Sequence, residues 1–353
     1  MRRSFLQLLA ASACGGLSTW LRAAPAVAQF DVLKTPALRT AKAAGTAMLA
    51  LARAGQRLVA VGERGIVLLS DDDGRSWQQA RVPVSATLTA VQFVDAHHGW
   101  AVGHLGVVLH SADGGVTWAL QMDGQRAAAL ALRAEEAGGK VSAATRQLVE
   151  DGPDKPFLDL HFENERVGWV VGAYNLALRT DDGGRTWHSI MDRLPNPKGL
   201  HLYAVQAVGS ALYIAGEQGL LLRSTDRGAH FEALPTPSKG TYFGLVAGAQ
   251  GRLLLYGLRG RAFLSTDGAA SWHEVDTGSR ASLSAGATLA NGSLLLASQA
   301  GELLLSRDGG LSFKPLPNRQ PLPFTALIEG GAGKLVAASL RGVQTLDLSA
   351  ALS

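Results

Sequence analysis

The sequence predicts an all-β fold, a seven-bladed β-propeller with a helical insertion between blades 2 and 3. Three observations lead there. An eight-residue box recurs six times, a strand-turn-strand segment precedes each box and occurs a seventh time, and most copies lie 41 residues apart.

The box is clearest as Ser70-Asp71-Asp72-Asp73-Gly74-Arg75-Ser76-Trp77. It returns as Ser111 to Trp118 and Thr180 to Trp187, and more loosely as Ser224 to Phe231, Ser265 to Trp272 and Ser306 to Phe313. The shared frame is Ser/Thr-x-Asp-x-Gly-x-x-aromatic. The aligned aspartates are Asp72, Asp113, Asp182, Asp226, Asp267 and Asp308, with gaps of 41, 69, 44, 41 and 41 residues. The long gap marks an insertion of about 28 residues, not a break in the pattern.

The preceding segment runs Val61 to Leu69 and recurs at Val102, Val171, Ala215, Tyr256, Ala297 and Ala338. Each unit reads as four strands bounded by Gly or Asp turns. In unit two these are Leu88 to Val94, Gly99 to Gly103, Val107 to Ser111 and Thr117 to Met122. The seventh unit holds only three strands, so a strand from Asp31 to Leu38 is expected to complete it and close the ring. The box residues have structural roles. The Asp accepts backbone amides of its own turn. The Gly permits positive φ. The aromatic residue (Trp77, Trp118, Trp187, Trp272) packs between blades.

Composition agrees with this fold. The chain has 353 residues, 47% hydrophobic and 18% charged, and its 42 glycines exceed the usual level of roughly 7%. Residues 1–28 read as a leader: Arg2-Arg3 precede the apolar stretch Leu8 to Leu21, and Ala26-Val27-Ala28 gives a small-x-small cleavage pattern. The arginine pair before Phe5-Leu6 resembles a twin-arginine signal, with a general secretory signal as the alternative. The mature domain is then 29–353. The leader carries Arg2, Arg3 and Arg22 and no acid, so the charge falls from +4 to +1 without it. A near-neutral chain offers no electrostatic case for nucleic-acid binding. The single Cys14 excludes a disulfide framework and a cysteine zinc site.

The boxes at Asp72, Asp113 and Asp182 are similar to the bacterial neuraminidase or Asp-box repeat. Together with Gly99-Trp100-Ala101-Val102-Gly103 and Gly168-Trp169-Val170-Val171-Gly172, the chain more specifically resembles the photosystem II assembly and stability factor family, Ycf48/Hcf136-like. The resemblance spans Ala47 to Leu346. It implies a seven-bladed propeller exported to the lumen or periplasm, without enzymatic activity or cofactor. Its implied partner is a protein of a membrane-associated assembly, bound by a monomer.

The turns between strands two and three share one face with the links between blades, opposite the boxes. That face carries Glu63, Arg64, His104, Tyr174, Glu217, Arg259 and Arg341, residues equivalent by repeat but chemically unlike. Arginines gathered there suit a carboxylate, a phosphate or an acidic loop; the alternative is a set of solvated turns. The insertion, 123–156, reads as two helices over Gln125 to Ala137 and Val141 to Glu150 on or beside this face. It serves as a docking element or lid, or else covers an apolar patch.

The competing function is an Asp-box glycosidase such as a sialidase, with Glu63 or Glu217 as its acid. No tyrosine in the sequence has a clear partner acid, and seven blades depart from the usual six. A calcium loop at Asp71 to Gly74 lacks its final acid, where Val82 stands. Gly330 to Lys334 fails phosphate-loop spacing. His97-His98 reads as a surface turn and not a metal site.

Overall fold

The computed structural model describes residues 31–318, 321–331 and 333–349; the leader and Cys14 lie outside them. From Val32 onward the chain forms one compact unit. The described residues form seven antiparallel sheets, six of four strands and one of three. The first strands are Met48–Ala54, Leu88–Phe93, Phe157–Phe162, Leu202–Val208, Tyr242–Ala247, Leu283–Thr288 and Phe324–Glu329. Each packs on the first strand of the next sheet, and Met48–Ala54 meets Phe324–Glu329, so the ring closes. The chain is a seven-bladed propeller.

Second strands are apolar without alternation because a blade lies on either side of them. Gly99–Gly103, Gly168–Gly172 and Leu253–Gly257 are buried at every residue. The fourth strands, at the rim, hold only two to four residues, which leaves little edge for foreign pairing.

The boxes act at two scales. Within its turn, Asp182 accepts the Thr180 hydroxyl at 3.0 Å, the Thr186 amide at 2.8 Å and the Thr186 hydroxyl at 2.6 Å. The Thr180 hydroxyl in turn accepts the Gly184 amide at 2.8 Å. Gly184 sits at φ 86°, as the frame requires. The same pattern recurs in the other boxes, with His230 replacing the second hydroxyl at Asp226 and Ala269 occupying the glycine position at φ 70°.

Between blades, an outward box carbonyl accepts a donor from the preceding blade. Arg57 bonds Gly114 O at 3.2 Å, and Gln121 bonds Gly183 O at 2.9 Å. Arg193 bonds Gly228 O at 3.4 Å, and Arg223 bonds Gly268 O at 3.0 Å. Arg252 bonds Asp308 O at 3.0 Å, and Thr345 bonds Gly74 O at 3.3 Å. Trp77 packs with Ala326, Ala338 and Val343 across the junction of blades 7 and 1.

The expected fourth strand of blade 7 is not formed by Asp31 to Leu38. That segment turns at Val32 to Thr35 and follows the blade 1 rim and its link. The Ser85 amide donates to Val32 O at 2.9 Å, and the Ala37 amide donates to Val82 O at 3.1 Å. Leu33 and Ala37 pack on the cluster holding Val82 and Val84. Pro36 has no N–H for a ladder, which disfavours the segment as a paired strand. Blade 7 instead meets blade 1 by packing, by Thr325 Oγ1 to Met48 O at 2.7 Å and by Arg53 to Glu329 O at 2.6 Å.

The insertion forms α1 (Gly124–Ala137) and α2 (Ala143–Glu150) between blades 2 and 3. The Asp123 carboxylate accepts the Arg126 amide at 3.0 Å and caps α1. Ala127, Ala128 and Ala131 let α1 press closely on the core beside Met122 and Phe157.

Asp182→Ala removes three hydrogen bonds to a carboxylate, and a loss of roughly 2 kcal/mol is expected in denaturant unfolding, with a smaller loss for Asp182→Asn. The Ser76 hydroxyl and amide and the Ser70 hydroxyl hold Asp72 down at about 2, and Ser271 and Ser265 do the same for Asp267. Their folded values lie below the unfolded value of about 3.9, so their contribution is present above that pH. Thermal melts from pH 5 to pH 2 should show it lost as pH falls through about 2.

Candidate protein-binding face

One end of the ring is built from the turns between second and third strands. Five of these are single 3-10 turns: Glu63–Gly65, His104–Gly106, Ala173–Asn175, Glu217–Gly219 and Leu258–Gly260. The first residue of each donates its amide to the link that enters its own blade, as Glu63 does to Ala47 O at 2.9 Å and Glu217 to His201 O at 3.1 Å. The middle residue lies in the left-handed region: Arg64 at φ 55°, Leu105 at 60°, Tyr174 at 55°, Gln218 at 52° and Arg259 at 60°. That conformation costs roughly 1–2 kcal/mol for an L-residue. Gly65 follows because a Cβ there would lie 2.2 Å from Val84 O.

The seven residues singled out in the sequence all lie on these turns, but they divide by role. Glu63 and Glu217 face inward and hold backbone: Glu63 Oε1 accepts the Ala47 amide at 3.3 Å, and Glu217 Oε2 accepts the His201 amide at 2.9 Å. His104, Arg64, Arg259 and Arg341 are exposed. Arg64 and Arg341 stand on neighbouring blades. Arg280 belongs with them and was missed in the sequence: it lies in the link beside Gly260, whose Cβ position is 2.0 Å from Ser279 O. Its signal was its place in a link instead of a turn. Among the described residues none of these four guanidinium groups has an ion-pair or hydrogen-bond partner; the bonds of Arg64, Arg259 and Arg341 use main-chain amides. Elsewhere Arg57, Arg179, Arg223 and Arg261 are all ion-paired.

Tyr174 is 56% exposed. Its ring lies 4.5 Å from His201, and the Lys155 ammonium stands 5.0 Å from its centroid. Asp151 and Asp154 fix that ammonium at 2.8 and 2.6 Å. The insertion therefore reaches this face through its last residues.

Every inner strand carries a register shift just after its first residue. The extra residue is Thr89, Ser284 or Thr325 in three blades, where its hydroxyl bonds the next blade at 2.7, 2.6 and 2.7 Å. In blades 4 and 5 it is Tyr203 and Phe243, in edge-to-face contact at 5.4 Å. Deeper in, Asp159 faces the inner strand of blade 4 and accepts the Val205 amide at 2.8 Å. Burial pushes its carboxyl up to about 7. The Tyr256 hydroxyl, whose charged form burial and then the Asp159 charge disfavour, fills the space where a Cβ on Gly244 would lie 2.0 Å away.

A glycosidase arrangement does not assemble from these groups. Both candidate acids are engaged with backbone, on blades 1 and 4. Tyr203 is the tyrosine near Glu217, but burial and then the Glu217 charge raise its pKa, which weakens it as a nucleophile. At the box end, His98 Nδ1 lies 2.9 Å from Asp95 and 3.9 Å from Glu165 in an exposed charge cluster. No helix among the described residues is long and apolar enough to cross a membrane.

Ring and turns together define an Asp-box propeller with a cationic, aromatic face. The family described as "Photosynthesis system II assembly factor YCF48" matches residues 69–134 and 140–319. The chain belongs to that family. A curated relative, "Photosystem II assembly protein Ycf48" of Synechococcus sp. (strain JA-2-3B'a(2-13)), is 27% identical over 188 residues, 47% of this chain and 52% of the relative. The matches span about half or less of the length of the curated relatives. The solved structure "YCF48 bound to D1 peptide" superposes with a TM-score of 0.63 at 15% identity, covering 86% of this chain and 93% of that one. A streptogramin B lyase superposes equally well, with a TM-score of 0.65 at 15% identity, covering 90% and 99%. At such identity both show the fold alone.

The raised folded value of Asp159 fixes the sign of one pH effect. Below about 4 the carboxyl is protonated folded and unfolded, and stability is lost as pH rises toward about 7. Asp159→Asn keeps an acceptor for Val205 without the charge. It is expected to match the parent in melts at pH 4 and to exceed it at pH 8.

Proposed function

We propose that this chain is an exported, non-enzymatic propeller that holds a segment of a partner protein on its arginine-bearing face during assembly of a membrane-associated complex. The partner is a photosystem II subunit or its counterpart. Membership of the assembly-factor family supports the reading, as does the relative solved with a D1 peptide. The leader at 1–28, read as a Tat-like signal, supports a periplasmic place of action, and the chain acts as a monomer.

The observation that carries the proposal is the state of the arginines. Arg64, Arg259, Arg280 and Arg341 stand exposed on one face with guanidinium groups that bond nothing in the described chain, three of them on turns tied down by backbone amides. A planar fork of donors held out to solvent on a fixed turn suits a carboxylate better than a single flexible ammonium does. Such a contact steers association and weakens with salt.

Recovery of partners from envelope extracts is the test. The variant Arg64→Ala/Arg259→Ala/Arg341→Ala should recover about tenfold less partner than the parent at low salt, since lost charge-assisted contacts reach kcal/mol magnitude. Its melting temperature should stay unchanged, because those side chains support no fold contact. Equal recovery by both proteins would sink the proposal.

A further inference from the structure

The same face holds a cavity that the arginines do not line. It has a volume of about 510 Å³ and opens between the links that enter and leave blade 4. The link on one side, Pro195-Asn196-Pro197-Lys198, lines it throughout; the like link on the other side, Pro235-Thr236-Pro237-Ser238-Lys239, lines it through Lys239, beside Ala233 and Leu234. Each places proline on either side of a polar residue, then a lysine. Prolines restrict these segments before any ligand arrives.

The polar residue of each link is a fastener. Asn196 is buried; its amide donates to Asn175 Oδ1 and Leu200 O, both at 2.9 Å, and its carbonyl accepts the Leu200 amide at 3.1 Å. Thr236 Oγ1 donates to Gly219 O at 2.6 Å, and the Gly219 amide donates to Gly240 O at 2.8 Å. Gly219 admits this contact because a Cβ there would lie 2.1 Å from Ser238 O. The cavity is therefore preformed. Its floor is apolar, made by Leu220, Leu221 and Leu234. Lys198 and Lys239 line it and no acidic residue does. Lys198 Nζ contacts Gln218 at 3.2 Å. Lys239 has no bond among the described residues.

We infer that this cavity anchors an extended peptide segment of the partner in which an aliphatic side chain is flanked by carboxylates. The inference rests on the proposal that the face binds a protein segment. The apolar floor takes the aliphatic group, and the two ammonium groups meet the acids on either side. The charge of the lining selects against a basic segment, and the fastened, proline-restricted links spare the ordering entropy that a loose cleft would lose. The volume falls within the range of roughly 300–1,000 Å³ typical of ligand pockets.

The test uses a short fluorescein-labelled peptide of alternating leucine and glutamate, read by anisotropy on the full chain at low salt. A second peptide replaces glutamate with glutamine, and a third replaces leucine with serine. The parent should bind the first about tenfold more tightly than either control. Lys198→Gln/Lys239→Gln should lose about tenfold, the scale of lost charge-assisted bonds, while Arg64→Ala/Arg341→Ala stays within about twofold. Carbodiimide coupling gives a second readout. The chain has eight lysines, so tryptic mass spectrometry resolves whether the peptide's carboxylates couple to Lys198 and Lys239. Unchanged affinity in the lysine variant, or coupling centred on Lys314 and Lys334, would overturn the inference. If the arginine variant then still loses its envelope partner, the proposed function stands without this cavity. If it does not, both fall.

Discussion

Each box aspartate gathers the amide and hydroxyl groups of its own turn, and a box carbonyl is left facing the preceding blade. The preceding blade supplies the donor. Arg57, Gln121, Arg193, Arg223, Arg252 and Thr345 come from different strands and links, yet each ends on a box carbonyl. One local hydrogen-bond arrangement thus fixes both the turn and the spacing between sheets. The radial order of the blades depends on it, and so does the alignment of the turns at the opposite end.

The two ends of the ring therefore differ in chemistry. At the box end, carboxylates and guanidinium groups are largely spent on each other or on carbonyls. At the other end Glu63 and Glu217 accept backbone amides and Asp151 and Asp154 hold Lys155, while Arg64, Arg259, Arg280 and Arg341 are left exposed. Burial of a polar group requires a partner. An exposed cation does not, and so an excess can persist there without cost to the fold. Such an imbalance gives a face a preferred charge of ligand, whatever the net charge of the chain.

Periodicity made the ring legible. Six aligned aspartates and the repeated Gly-bounded strands specify sheet number and turn placement before any contact is known. The box hydroxyls at Ser76, Thr117, Thr186, Ser271 and Ser312 were visible in the sequence but left out of the frame, because His230 breaks their run. What lacked period was not legible. Arg280 sits in a link of irregular length, and Tyr203 meets Phe243 only because an extra residue shifts its register. Asp159 looks like any strand aspartate until three blades enclose it. The path of Asp31 to Leu38 turned on Pro36, whose missing amide outweighed the apparent need for a closing strand.

The latches are not evenly distributed around the circle. Blade 7 has no box, so blade 6 has no such carbonyl to grip, and the boundary between them is held by apolar packing of Ala285 and Leu295 with Phe324 and Leu335, by the Ser284 hydroxyl and by the bond from the Ala290 amide to Glu329. Among the described residues no strand is shared between the first and last blades either. A ring made this way has a built-in seam. Blades 6 and 7 follow one another in the chain, so the backbone itself spans the seam between them, whereas cyclisation joins blade 7 to blade 1 at the opposite side of blade 7.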